Sequence, residues 1–172
     1  MSRKKITHLV CYDDHRTFTE DVRKRFSDET KYRIESFHIR EEFLNHFRKI
    51  AENKSCKVAI IVVPDSAEQQ ESVIKLPPEV IISDPATGII LIVPAARMEE
   101  VRKAAKFNID AYIPKNTNAM LRIHNEVKKL ISEYNINVYR KRRNISLSIL
   151  LAFAIITVLA VIMAYFRFPG YF

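Results

Sequence analysis

The side chains best placed for chemistry are an acidic pair, Asp13-Asp14, and a lysine, Lys115, 102 positions further on. The pair ends a short apolar run, residues 5–12, and the lysine closes another, residues 111–113. Carboxylates at such a point cap the helix that follows, and an ammonium brought up to them balances their charge. Two further aspartates stand in comparable places. Asp65 lies just past the β-branched run of residues 57–63, and Asp84 opens the turn-forming sequence DPATG at residues 84–88.

The rest of the inventory argues against an enzyme. With only two glycines, Gly88 and Gly170, the chain has no glycine-rich phosphate loop. No serine or cysteine has an identifiable base partner, and the histidines at 8, 15, 38, 46 and 124 show no metal-ligand spacing. Cys11 and Cys56 sit in apolar, strand-like contexts, where free buried thiols are expected rather than a disulfide or a metal pair.

The elements that must position these groups alternate along the chain. Residues 5–12, 32–38, 57–63, 88–93 and 111–113 read as strands; the third and fourth are uniformly apolar, as expected for strands buried on both faces. Helices are expected between them. Phe18, Val22 and Phe26 mark the first, and Phe43, Leu44, Phe47 and Ile50 the second. A third covers 98–107 with Val101, Ala104 and Ala105 inward, and the last covers 118–134 with Leu121, Val127, Leu130, Ile131 and Tyr134 on one face. Residues 66–74 make a weaker, polar helix that Leu76-Pro77-Pro78 breaks, and residues 79–83, EVIIS, read as a short edge or loop strand. This alternation predicts an α/β fold, a doubly wound five-stranded parallel sheet. Ligands of such sheets bind at the carboxyl ends of the strands, which directs attention to Asp13-Asp14, residues 62–65, residues 93–95 and Lys115.

The order of elements, the acidic pair after the first strand and the stretch NIDAYIPK at residues 108–115 together resemble a response-regulator receiver domain. The likeness covers roughly residues 5–130. It implies a flavodoxin-like sheet, a Mg²⁺ held by Asp13 and Asp14, and Lys115 as the lysine that pairs with a phosphoryl group. It also implies an acceptor aspartate at the end of the third strand and a hydroxyl at the end of the fourth. Here the acceptor position falls on Val62 or Val63, and the hydroxyl position on Val93, followed by Pro94 and Ala95. None of these side chains takes or binds a phosphoryl group. Asp65 and Asp84 are the alternative acceptors, although the 31 positions from Asp84 to Lys115 are too few for a helix, a strand and a further helix. The expectation is a degenerate receiver, with Asp13, Asp14 and Lys115 as remnants, no required cofactor, and Mg²⁺ as the one ion the resemblance allows.

Residues 145–166, ISLSILLAFAIITVLAVIMAYF, carry no charge and no proline. Twenty-two helical residues span about 33 Å, enough for a hydrocarbon core of about 30 Å. Arg140, Lys141, Arg142 and Arg143 precede the run and Arg167 follows it, a bias that places the N-terminal side in the cytoplasm. These five account for most of the net charge of +8, leaving 23 basic against 20 acidic residues in the rest. The basic run therefore suits an anionic lipid surface rather than nucleic acid. No N-terminal signal peptide is expected, because the first apolar run is too short. The organisation read from the sequence is a receiver-like domain (1–135), a basic juxtamembrane linker or helix continuation (136–144), a single span of the inner membrane (145–166) and a short tail (167–172). Within the span Ser148, Ala152, Ala160 and Ala164 share a small-residue stripe that permits self-association. The expected partners are a membrane protein or a second copy of the chain, met as a signalling adaptor or as a small subunit of a membrane complex.

Overall fold

The computed structural model describes residues 6–13, 17–66, 72–104 and 109–167. Five strands, β1 (Thr7–Tyr12), β2 (Tyr32–Phe37), β3 (Lys57–Val62), β4 (Gly88–Val93) and β5 (Ala111–Pro114), form one parallel sheet in the order β2-β1-β3-β4-β5. All pairings are parallel, with Leu9 opposite Val58, Ile60 opposite Ile90 and Ile92 opposite Ile113. Burial explains the order. Every residue of β3 is buried, and β4 is buried apart from Gly88, whereas β2 is only half-buried and lies at an edge.

Side chains alternate across the strands, so each face receives its own helices. Val10, Tyr12, Ala59, Ile61, Ile89 and Leu91 face α2 (Arg40–Ile50), α3 (Leu76–Ser83) and α4 (Met98–Ala104). All four apolar α2 residues expected inward are buried, and Phe43 stacks edge-on against Tyr12 and Phe47 at 5.4 and 5.1 Å between ring centres. The opposite side chains, Leu9, Cys11, Ile60 and Ile90, are fully buried, as are Val22 on α1 (Thr17–Arg25) and Ile123 and Val127 on α5 (Ala119–Arg167). Phe26, just past α1, joins the two helices through its ring contact with His124 at 5.3 Å. Gly88 has a packing reason here, since a Cβ would stand 2.8 Å from Leu130 Cδ1.

Three expectations change. Residues 79–83 are not a strand but part of α3, which Pro77 and Pro78 begin rather than prevent. Proline suits the first helical positions because its missing N–H has no intrahelical partner there and its fixed φ is helical. On α5 the buried residues are Ala119, Ile123, Val127 and Leu130, and Leu121 is exposed. On α4 only Val101 is buried and Ala104 is exposed, while Ala105 and most of the weak helix at 66–74 lie outside the described residues.

The chain divides into two compact units, Met1–Ile131 and Ser132–Phe172. The helix α5 is assigned without interruption through residues 136–143. Its later part is long and apolar enough to cross a membrane, with Ile149, Leu150 and Phe153 each about two-thirds exposed or more, at 66, 69 and 70%. Two polar side chains in that stretch turn back on the helix: Ser148 Oγ donates to the Asn144 carbonyl at 3.0 Å and Thr157 Oγ1 to that of Phe153 at 2.6 Å. Such internal satisfaction is what a lipid environment demands of a hydroxyl.

Candidate functional site

The carboxyl ends of the strands gather Asp13, residues 62–65, Val93 and Lys115. Asp13 follows β1 and is 3% exposed. Its backbone is fixed to the end of β2: its N–H donates to the Phe37 carbonyl at 3.2 Å, and its own carbonyl accepts from His38 Nδ1 at 2.6 Å. Asp14 lies outside the described residues.

Register decides what stands beside this carboxylate. Tyr12 pairs with Ile61 and Val62 with Ile92, so the rim opposite Asp13 is made of Val62 and Val63. The Val63 N–H donates to the Ile92 carbonyl at 2.8 Å, and the Lys115 N–H to the Val93 carbonyl at 2.8 Å. Val62, Val63 and Val93, the side chains that the resemblance sets where a carboxylate and a hydroxyl are expected, are all buried at these strand ends.

One acidic side chain does reach the lysine. Lys115 Nζ lies 3.4 Å from Asp65 Oδ2, and both groups are solvent-exposed. A pair this long and this exposed contributes at most about 1 kcal/mol, but it puts a carboxylate and an ammonium at the rim together. A Mg²⁺ ion would need several oxygen donors converging there. Among the described residues no three His, Cys, Asp or Glu side chains gather as a metal site, and Asp14, the other carboxylate of the expected pair, lies outside them.

Asp84 belongs elsewhere. Lys57, the first residue of β3, donates through Nζ to Asp84 Oδ2 at 2.6 Å and to the Ala51 carbonyl at 3.1 Å. Asp84 Oδ1 accepts the Ala86 N–H at 3.1 Å, closing the turn before β4. The pair is buried at the amino ends of the strands, away from Asp13 and Lys115. There Asp84 terminates α3 and neutralises Lys57, a role its sequence context concealed.

Burial pushes the Cys11 thiol up to about 12 and that of Cys56 to about 11, so both are inert free thiols, as expected. The sequence had not disclosed a polar cleft of about 390 Å³ beside the end of β2, lined by Thr19, Glu20, Arg23, Ser36 and His38. Its residues come from α1, from β2 and from His38 just past it, and only the serine in an otherwise apolar phase of β2 hints at it.

The sequence matches no protein-family model, and no curated protein is similar to it. Solved structures are. A response regulator receiver domain protein from Clostridium thermocellum superposes with a TM-score of 0.61 at 13% identity, over 76% of this chain and 98% of the other. A CheY-like receiver domain protein from Methanospirillum hungatei JF-1 gives 0.57 at 19% identity, over 77% and 98%. A structure described as adenylate cyclase from Rhodopirellula baltica gives 0.57 at 13% identity, over 78% and 94%. At these identities the likeness establishes the fold: a receiver-type sheet with its helices, combined with a long apolar helix.

Proposed function

We propose that this chain is a membrane-anchored receiver-fold module that works by protein–protein contact, without phosphoryl transfer and without catalysis. The observation that carries the reading is the pair of buried valines, Val63 and Val93, at the rim where phosphoryl chemistry would need a carboxylate and a hydroxyl. A receiver switches because a covalent phosphoryl group is held by an ammonium, a hydroxyl and a cation. Here Lys115 is present while a valine, Val93, stands where the hydroxyl is expected, and on this reading the domain keeps one conformation and offers one surface. The span holds that surface at the membrane, with the domain on the cytoplasmic side indicated by the basic residues before it. Its partner is a membrane protein or a second copy of the chain, and its role is that of a signalling adaptor or a small subunit.

A second reading rests on the 3.4 Å approach of Asp65 to Lys115: Asp65 is a displaced phosphoacceptor. One experiment separates the two. The full chain in lipid nanodiscs is treated with acetyl phosphate and Mg²⁺, or with beryllofluoride and Mg²⁺, and followed by intact mass and by thermal unfolding. The proposal expects no added phosphoryl mass and an unchanged melting temperature. A phosphoryl adduct or a beryllofluoride-dependent shift that Asp65→Asn removes overturns it in favour of the second reading.

A further inference from the structure

The four basic residues before the apolar run form a closed collar rather than a stripe. Arg140, Lys141, Arg142 and Arg143 are consecutive, all exposed, and all within α5. At 3.6 residues per turn, four successive side chains point about 100° apart and occupy all four quadrants of the helix. A groove-binding helix would instead place its cations on one side, three and four residues apart.

The collar also lacks counter-ions on its own helix. The positions three and four residues away from each cation are Ile136, Asn137, Val138, Tyr139, Arg140, Arg143, Asn144, Ile145, Ser146 and Leu147, with no carboxylate among them. The nearest acid along the helix is Glu133, seven residues and about 10 Å of helix before Arg140. Among the described residues none of the four forms an ion pair, although surface cations elsewhere in the chain do, as Lys31 does with Asp28 and Lys129 with Glu126. Four like charges in one turn repel each other, so this turn is favoured only where anions surround it.

We infer that the collar recruits a ring of anionic phospholipid headgroups around the helix, drawn from the leaflet it adjoins. The inference rests on the reading of residues 145–166 as a membrane span, which sets the collar at headgroup depth. Arg supplies forked donors for phosphate oxygens and Lys a point charge, so the ligand chemistry is phosphodiester recognition without a pocket. A ring has a signature that a single lipid-binding cleft lacks: its four members contribute comparably and independently.

The test uses the full chain reconstituted in phosphatidylcholine vesicles containing a minor share of phosphatidylglycerol, with spin-labelled lipids reporting the motionally restricted population. The expected result is a preference for phosphatidylglycerol over phosphatidylcholine. Each of Arg140→Gln, Lys141→Gln, Arg142→Gln and Arg143→Gln should lower that preference by a similar share, roughly a quarter, and the fourfold variant should lose it. Absence of preference in the unaltered chain overturns the inference, as does its persistence in the fourfold variant or its complete loss in one single variant. Inorganic phosphate is compared with chloride at equal ionic strength. Stronger competition by phosphate would identify a soluble-phosphate site and overturn the lipid assignment. Resistance to alkaline carbonate extraction is measured on every sample. Extraction of the unaltered chain means the span reading has failed, whereas retention without lipid preference means only the collar has.

Discussion

Asp84 illustrates how one residue type takes opposite meanings by position. Its carboxylate and the Lys57 ammonium are removed from water together, and removing one partner strands the other. Asp84→Ala is expected to cost about 3–5 kcal/mol in urea unfolding, where a surface aspartate would cost almost nothing. A cost under 1 kcal/mol would show that the pair is not buried as described. The second residue-scale expectation concerns His8 and His46 on the α2 side of the sheet edge. Burial is the main cause holding both below their ordinary value of 6.5; Arg33 adds to it for both, His46 and Lys57 for His8, and Lys49 for His46, while Glu35 opposes it for both. The unfolded chain therefore takes up these protons more readily than the folded one. The stability they support is complete above pH 6.5 and is lost as pH falls through the lower folded-state values. His8→Gln should flatten this acid loss in urea titrations taken across that range, and Glu35→Gln, which removes the opposing carboxylate, should steepen it. The reverse order would refute the assignment. At this scale the sequence located Asp13 and Lys115 at strand ends, but not the pairing of Asp65 with Lys115 or of Asp84 with Lys57. Both pairs join residues far apart in the chain, and only the packed sheet brings them together.

Elements were legible where apolar periodicity was strong and misread where residue preference and tertiary packing disagreed. The two buried strands β3 and β4 and the apolar face of α2 follow directly from continuous β-branched runs and from a clean helical period. In α3 the sequence Val80-Ile81-Ile82 has the composition of a strand, yet it is helical: Leu76 and Val80, one turn apart, are both buried, and Glu79 pairs with Arg40 of α2. Context overrides a β preference that is worth only about 1 kcal/mol. The face of α5 was displaced because the apolar residues flanking Arg122 make two phases equally attractive. The structure buries Ile123 and leaves Leu121 52% exposed. Leu121→Lys should therefore change stability by less than about 0.5 kcal/mol, whereas Ile123→Ala should cost about 2–5 kcal/mol. Paired urea melts check this, and equal costs would restore the original phase.

For the molecule as a whole, the question is whether the receiver-fold unit needs the apolar helix to fold. Every buried hydrophobic side chain among the described residues lies at or before Leu130, and those from residue 145 onward through Leu159 are exposed. These exposed apolar residues of 145–159 would be a liability in water, a large uncovered surface. A fragment of residues 1–135 should accordingly be a soluble, folded monomer with a cooperative unfolding transition, while the full chain requires detergent or lipid. Aggregation of the fragment would show that residues beyond 135 complete the core. Where the fragment folds, it also divides the possible partners. Proteins crosslinked to the full chain in native membranes and retained by the fragment bind the receiver-fold surface, so the span serves to place it. Those lost with the span are held within the bilayer. There the helix can offer packing and the stripe containing Ser148, Ala152 and Ala160, while the hydroxyls of Ser148 and Thr157 are spent on its own backbone.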